Sequence, residues 1–414
     1  MNIQSLRGMP DLFPEDLKNW HILEDELSKL FTSFNCDEIR TPILESTDLF
    51  SRSVGGSSDI INKELYSFLD RNNESVSLRP EGSSGVVRAI IQKKQESERQ
   101  KLWYQGQMFR YERPQKGRYR QFHQVGVEYL GYEQGMSEYE LISMIVNINQ
   151  SLGIEKYSIK INHLGSPEDK QDFCDALKSF LIPHEEGLHE KDRMRLSTNP
   201  LRVLDSKEES TKEILRNAPK YEDYISSEAK SFLGDLVDHY QDRCNIQIDS
   251  TLVRGLDYYT GIVFEVISED LGAQDAYMGG GRYDNLSVQL GGKPMVAIGF
   301  AIGLERILEL MTVKAAPHTI KVALIITLEH QDEKTYKIAH QLREANSEII
   351  LDAFLSNARL KSQLKRANKL NCDFAVIIGD EESNMNQVIW KDLSEHGDQK
   401  LLGIEDLLAV YKTL

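Results

Sequence analysis

Two strand patterns flank a charged turn in LWYQGQMFRYERPQKGRYRQFHQVGVEYLG, residues 102–131. Alternation puts Leu102, Tyr104, Gly106, Met108, Arg110 and Glu112 on one face of the first run. The second run turns Val125, Val127 and Tyr129 one way and Gln124, Gly126 and Glu128 the other. Pro114 and Gly117 lie between them, so the stretch reads as a long-looped antiparallel hairpin. Five cations, Arg110, Arg113, Lys116, Arg118 and Arg120, fall within eleven positions, relieved only by Glu112. A face carrying arginine, carboxylate and glycine makes a poor core, because unpaired charge is costly in apolar surroundings. It suits a polar ligand with phosphate and amine groups. A guanidinium fork grips phosphate oxygens in pairs, and a carboxylate receives an ammonium or ring N–H. On spacing alone, a solvated ribbon with surface ion pairs explains the charges equally well.

This local basicity stands against the whole chain, which has 414 residues and a formal net charge of −16. That length implies two or three domains. A hydrophobic content of 40% with 28% charged residues is that of a globular protein, not of a disordered one. No apolar run approaches the ~20 residues that span a bilayer. MNIQSLRGMPDLF lacks the apolar core of a signal peptide, so a cytoplasmic location without a membrane partner is expected. Cys36, Cys174, Cys244 and Cys372 are scattered and never form CxxC, which argues against a disulfide scaffold or zinc ribbon and for reduced, mostly structural cysteines. The acidic balance argues against indiscriminate nucleic-acid binding, while leaving room for a local basic surface.

Outward from the hairpin, residues 14–34 carry Leu17, Trp20, Leu23, Leu27, Leu30, Phe31 and Phe34 at helical spacing, with Asp11 set to cap ahead of Pro14. DEIRTPILES reads as a strand that Pro42 confines to an edge or an end. Ser137 and Glu140 have the spacing of a capping box before the helical pattern of residues 141–152. Residues 167–247 change texture to short, charge-rich helices and read as a helical insertion. Strand character returns in TLVRGLDYYTGIVFEVIS, then comes GGGRYDNL, and AIGFAIGLERILELM runs from strand into helix at Gly303. Near VKAAPHTI the chain leaves one domain. Beyond it KVALIITL, EIILD and DFAVIIG alternate with helices, the pattern of a small α/β domain.

Several segments hold chemistry-bearing residues. SLRPEGSSGVVRAI sets Arg79 and Glu81 among small residues before a helix, where a turn and N-cap is the simpler reading. VRGLDYYTG gathers Arg254, Asp257, Tyr258 and Tyr259, and Arg254 and Tyr259 share one pocket only if the chain bends near Gly255. GGGRYDNL lacks both the G-x-G-x-x-G spacing and the P-loop lysine, so tight turns or close backbone approach explain it as well. Arg306 follows Gly303 at a helix start, where backbone N–H groups favour an anion. HEEGLHEKD lacks a metal-ligand set and reads as solvated surface. No Ser/His/Asp or Cys/His arrangement stands out, which favours a reaction run by positioning and charge stabilisation.

In order along the chain, RGMPDLFP, LRPEGSSGVVRA, MFRYERPQKGRYRQFHQVGVE, NPLRVLDSK, LVRGLDYYTGIVFEV, GGGRYDNL and AIGFAIGLERI resemble the class II aminoacyl-tRNA synthetases, and among them the histidyl-tRNA synthetases. RPQKGRYRQFHQ and RGLDYYTG are the most specific matches. The resemblance implies an α+β fold. A catalytic domain built on an antiparallel sheet flanked by helices would occupy residues 1–166 and 248–316. The helical insertion would take 167–247, and an α/β anticodon-binding domain 317–414. It also implies a homodimer, with the helix and strand reaching Pro42 at the interface. Ser83 and Ser84 stand where the family commonly has Thr-Ala, which retains the hydroxyl at 83. Tyr111 stands where His is frequent, on the face opposite Arg110.

Carried across, the resemblance gives Arg110 to the ATP α-phosphate and substrate carboxylate, Glu112 and Phe122 to adenine, and Arg306 to the terminal phosphates. Glu81, Gly82, Ser83 and Gln124 would receive the histidine α-amino group, and Glu128, Tyr258 and Tyr259 the imidazole. Arg254 would join Arg110 in catalysis at the α-phosphate, where related enzymes place a metal ion. Arg113, Gln115, Lys116 and Arg118 would contact the tRNA acceptor end. The implied substrates are L-histidine, ATP with Mg²⁺ and the tRNA for histidine, with no tightly bound protein-ligated metal. A regulatory, non-catalytic relative lacks the anticodon-binding tail and the RGLDYY arginine, both of which this chain carries.

Overall fold

The computed structural model describes residues 3–55, 58, 60–204, 206, 208–272, 275–313, 319–327, 333–354, 358–394 and 397–414. The chain divides into two units, Met1–Lys314 and Ala315–Leu414. Within VKAAPHTI, residues 314–318 lie outside the described residues, as do Asp205 and Lys207 of NPLRVLDSK.

In the first unit, helix α1 (Pro14–Ser33) buries Trp20, Leu23, Leu27 and Phe31. Its cap is not Asp11. The Phe13 N–H donates to Asp16 Oδ2 at 3.0 Å, a carboxylate one turn inside, because Pro14 fixes the first helical residue and the third position reaches back. DEIRTPILES forms two short strands in different sheets, β1 (Asp37–Glu38) and β2 (Leu44–Ser46), with Pro42 between them. Helix α2 (Thr47–Ser53), β3 (Ser67–Leu69) and β4 (Ser75–Leu78) follow, and β2, β4 and β3 form a small antiparallel sheet in the order β2–β4–β3. Helix α3 (Ser83–Lys93) leads into the hairpin of β5 (Gln100–Phe109) and β6 (Gln121–Leu130), paired from Gln100↔Leu130 to Phe109↔Gln121.

Helix α4 (Met136–Ser151) starts earlier than its sequence suggests, so Ser137 already lies inside it. Glu138 Oε2 receives the Gly135 N–H at 2.8 Å, while Glu140 binds Lys101 Nζ at 2.7 Å. After β7 (Ser158–His163) come α5 (Pro167–Leu181), α6 (Glu190–Thr198), α7 (Glu209–Leu215) and α8 (Ser227–Tyr240), joined by short turns. Then follow β8 (Asn245–Ile248), β9 (Thr260–Ile267), β10 (Ala276–Arg282), α9 (Leu286–Gln289), β11 (Ala297–Gly303) and α10 (Leu304–Leu310). The strand expected from residue 251 begins only at Thr260, and residues 251–259 run as turns, which supplies the bend that VRGLDYYTG required.

The main sheet has eight strands in the order β1–β5–β6–β11–β10–β9–β7–β8, antiparallel throughout except for the outermost pairs at each edge. One face packs Val125, Val127, Ile161, Phe264 and Ile298 against α1, α4 and α8. Register puts Gly106, Gln124 and Gly303 in one row on the other face, and Tyr104, Gly126, Ala301, Gly279 and Glu265 in the next. Glu128, Gly299 and Gly281 make a third row. The glycines leave a hollow floor in the middle of the sheet.

In the second unit, β12 (Lys321–Ile326), α11 (Glu333–Ala345), β13 (Ile350–Phe354), α12 (Leu360–Lys369) and β14 (Phe374–Ile378) give the expected alternation. Helix α13 (Asp380–Met385), a β15 (Gln387–Asp392) and β16 (Gln399–Gly403) hairpin, and α14 (Ile404–Thr413) extend it. The sheet order is β13–β12–β14–β15–β16, parallel in its first three strands and antiparallel in its last three. Val322, Leu324, Leu342, Val376 and Tyr411 fill its core.

Candidate active site

The hollow face opens into a cavity of about 500 Å³ lined by Glu81, Ser83, Tyr104, Arg110, Glu112, Arg118, Phe122, Gln124, Arg254, Tyr258, Tyr259, Glu265, Tyr283 and Arg306, among others. The segments that the sequence kept apart therefore meet, and alternation was a sound guide to the hairpin's share of the wall. Gly82 and Gly126 belong to the same construction. A Cβ on either would come within 2.3 Å of the Tyr104 ring, so this tyrosine fits only because both are glycine. A Cβ on Gly299 would strike Glu128, and one on Gly279 would strike the Arg254 guanidinium.

Glu128 is fully buried and accepts from two hydroxyls, Ser83 Oγ at 2.5 Å and Tyr283 Oη. Burial pushes its carboxyl up to about 8, against the pull of these two hydrogen bonds, and the nearby Glu81 raises it further. Glu81 is buried at the start of α3, where its carboxylate receives the Ser83 N–H at 2.7 Å, the Ser84 N–H at 3.0 Å and the Ser84 hydroxyl. Gln124 Oε1 and Tyr104 Oη line the same cavity as buried polar atoms that make no hydrogen bond. Such orphan atoms are expensive in a closed core and are natural seats for a ligand's N–H groups.

The cations occupy the remaining wall. Arg110 donates through Nε to Pro80 O at 2.9 Å and lies over the Phe122 ring at 5.3 Å. Arg306 reaches from α10 to Gly117 O at 2.9 Å and to Ala276 O. Its burial, with Arg118 and Arg110 nearby, lowers its pKa despite Glu112. Arg254 pairs with Glu265 and faces the Tyr259 ring at 5.8 Å. Burial opposes its charge, yet Glu265 with Tyr259 and Tyr258 hold the guanidinium above its ordinary pKa. On the connecting loop, Arg118 pairs with Glu112 and Lys116 with Glu309 at 2.9 Å, while Arg113 and Gln115 are exposed.

GGGRYDNL is not a phosphate cradle. A Cβ on Gly280 would meet Gly299 O at 2.2 Å, so that glycine lets strands approach, and Arg282 points away to the buried Glu138. Tyr111 packs under Arg120, whose guanidinium lies 3.9 Å from its ring. Sequence reasoning missed Tyr104, Tyr283, Glu265 and Glu305. Tyr104 was legible from its place on the same alternating face as Gly106 and Arg110. Glu305 receives the His123 N–H at 2.9 Å and its ring Nδ1 at 2.8 Å, a partnership across 182 positions that no local pattern announces. Among the described residues no group of three or more His, Cys, Asp or Glu is arranged to hold a metal, and no helix is long and apolar enough to cross a membrane.

The histidyl-tRNA synthetase family model matches residues 8–307, and an anticodon-binding domain model matches 321–414. A histidine–tRNA ligase from Ruthia magnifica is 42% identical over 99% of this chain and 98% of its own length. One from Francisella philomiragia is 41% identical over 97% of each. The apo crystal structure of Staphylococcus aureus histidyl-tRNA synthetase superposes with a TM-score of 0.80 at 31% identity, covering 99% of this chain and 100% of that one. A Bacillus halodurans structure titled as an ATP phosphoribosyltransferase regulatory subunit/histidyl-tRNA synthetase, 22% identical with a TM-score of 0.65, shares the fold. With its motifs gathered around one cavity and its length matched end to end, this chain belongs to the histidyl-tRNA synthetase family.

Proposed function

We infer that the chain is a ligase that activates L-histidine with ATP, giving histidyl-adenylate and pyrophosphate. It then transfers the histidyl group to the 3′-terminal adenosine of its tRNA. The observation that carries the assignment to this cavity is the buried Glu128 carboxyl, held by Ser83 and Tyr283, which line the cavity together with the orphan Gln124 Oε1 of the same strand as Glu128. Glu128 with Tyr258 and Tyr259 seats the imidazole, and Glu81, Gly82, Ser83 and Gln124 seat the α-amino group. An amino acid without ring N–H groups leaves these polar atoms unpaired, which discriminates by about 10⁴-fold in good cases.

The substrate supplies its own nucleophile. Its α-carboxylate is ionised at neutral pH and attacks the α-phosphorus, and the electron pair of the broken P–O bond leaves with pyrophosphate. Arg110 and Arg254 offset the charge that grows at the α-phosphate, Phe122 stacks on adenine beside Glu112, and Arg306 holds the terminal phosphates. Bound to ATP, Mg²⁺ would offset the charge of the polyphosphate. Among the described residues no group of three or more His, Cys, Asp or Glu is arranged to hold that ion, and Glu265, which lines the cavity, is already paired with Arg254.

Arg113, Gln115, Lys116 and Arg118 contact the acceptor end. The 317–414 domain reads the anticodon, with the exposed Lys361, Lys365, Arg366 and Lys369 of α12 on the backbone. A homodimer and a cytoplasmic location complete this reading. The exposed Ile43, Leu44, Phe68 and Leu69 on and beside the small sheet offer apolar surface to a second copy. The deciding assay is histidine-dependent ATP–pyrophosphate exchange on the wild type and Arg254→Ala. Exchange should need histidine and fall by about 10²-fold or more in the variant. Folded wild-type protein without exchange would overturn the activity, and near-normal exchange in the variant would overturn the role of Arg254.

A further inference from the structure

Residues 254–259 carry Arg254, Tyr258 and Tyr259 into the cavity, yet they belong to neither a helix nor a strand. The backbone–backbone hydrogen bond recorded within this loop among the described residues is Asp257 N–H to Val54 O at 3.3 Å. Its carbonyls are held instead by side chains from α5 and from the turn after α6. Lys170 Nζ donates to Asp257 O at 3.1 Å and to Tyr259 O at 3.2 Å. Arg202 Nη2 donates to Gly255 O at 2.5 Å, and Asn199 Nδ2 to Asp257 Oδ1 at 3.0 Å. Lys170, Asn199 and Arg202 are not among the residues lining the cavity. Arg254, Tyr258 and Tyr259 thus face the site, while the carbonyls of Gly255, Asp257 and Tyr259 and the Asp257 carboxylate face the 167–203 segment. Asp257 is fixed from the other side as well, since a Cβ on Gly55 would lie 2.2 Å from its carboxylate.

We propose that Lys170, Asn199 and Arg202 are positioning residues that set the histidine pocket by clamping the loop of residues 254–259 from the helical segment, Lys170 and Arg202 through its carbonyls and Asn199 through the Asp257 carboxylate. This rests on the assignment of Tyr258 and Tyr259 to the imidazole. A single ammonium bridging two carbonyls two positions apart fixes the spacing of the turn that aims both tyrosines. Desolvation lowers the Lys170 pKa while Asp257 raises it, as suits a cation buried against carbonyls. Because the clamp acts on one wall, its loss displaces histidine contacts and leaves the Phe122, Glu112 and Arg306 walls in place.

The test is steady-state ATP–pyrophosphate exchange with the full-length chain, varying histidine and ATP separately. Lys170→Met should raise KM for histidine by about tenfold or more while KM for ATP stays within about twofold, since small misplacement at a reacting site has large kinetic effects. Asn199→Ala and Arg202→Met should act in the same direction more weakly, with Arg202→Lys restoring part of the effect through its single donor. These two surface-side variants keep the test open should Lys170→Met fail to fold, as thermal melting would show. Histidine KM unchanged in folded clamp variants, or equal rises in both KM values, would overturn the proposal. Tyr259→Phe separates the two readings. If it leaves histidine KM unchanged, the imidazole assignment falls and the clamp proposal with it. If it raises that KM while Lys170→Met does not, the clamp alone falls.

Discussion

Glu128 and Glu138 are equally buried carboxylates that lie close in sequence, and they are satisfied in opposite ways. Glu138 takes Arg282 Nε at 2.7 Å and Nη2 at 2.5 Å on one oxygen, and Gly135 N–H and Ser137 Oγ at 2.8 Å each on the other. Arg282 in turn reaches Tyr132 O and Asp284 Oδ1 at 3.1 Å, so charge and hydrogen bonds close within the protein. Among the described residues Glu128 has two hydroxyls and no ion pair, and both hydroxyls belong to residues that line the cavity. A carboxylate whose counter-charge is built in ties strands to helices. One left short of donors stores its binding capacity for a ligand, and the cost of that shortage appears as its raised pKa.

The largest effect should come from breaking the closed pair. Arg282→Met leaves Glu138 buried without its cation and should cost about 3–5 kcal/mol of stability, read by urea unfolding. A loss below about 1 kcal/mol would erase the contrast between the two sites. Glu128→Gln should behave in the reverse sense. It keeps the shape, removes a poorly compensated carboxyl, and should leave stability unchanged or improved. Meanwhile kcat/KM for histidine in pyrophosphate exchange should fall by about 10²–10³-fold, since the substrate loses a buried hydrogen-bonding partner. Normal exchange in this variant would remove Glu128 from the site.

Acidity separates the same pair. Glu128 keeps its proton up to about pH 8 when folded and releases it near 4.5 when unfolded. Between those values the folded state binds more protons, so this group's contribution is full below about 4.5 and declines as pH rises toward 8. The slope is at most about 1.4 kcal/mol per pH unit. The stability of the wild type relative to Glu128→Gln should therefore drop between pH of about 5 and about 8. A difference that stays flat over that window would mean the carboxyl is already ionised in the fold.

How much of this was legible beforehand follows the range of the interactions. Period-two alternation in residues 102–131 sorted Tyr104 to one face of the first strand and Gln124, Gly126 and Glu128 to one face of the second, because pleating is local, and the hairpin register brings the two sets to one side of the sheet. The bend at residues 251–259 was legible only as a requirement. What holds it, Lys170, Asn199 and Arg202, lies 53 to 89 positions away. The division of labour inside GGGRYDNL was hidden for a similar reason. Gly280 answers to Gly299, Arg282 to Glu138 and Tyr283 to Glu128, three partners from strands and helices that a local pattern cannot name. The helix caps misled by one or two residues, since Asp16 and Glu138 reach back from inside their helices where a capping residue was sought outside.

Tyr283 offers the finest cut, because it supports Glu128 while its neighbour Arg282 supports Glu138. Tyr283→Phe preserves the ring packed against Tyr258 at 5.6 Å and removes only the hydroxyl that donates to Glu128. One hydrogen bond to the carboxyl is then lost, worth about 1 kcal/mol net, so kcat/KM for histidine should fall roughly fivefold. That hydroxyl's hydrogen bond lowers the Glu128 pKa, so the variant's carboxyl should titrate higher than the wild type's. Stability should change little at pH of about 5, where the carboxyl is protonated and needs the donor least, and more at about 8. If Tyr283→Phe instead costs as much stability as Arg282→Met at every pH, Tyr283 acts as core packing, and the Glu128 cluster is as closed as that of Glu138.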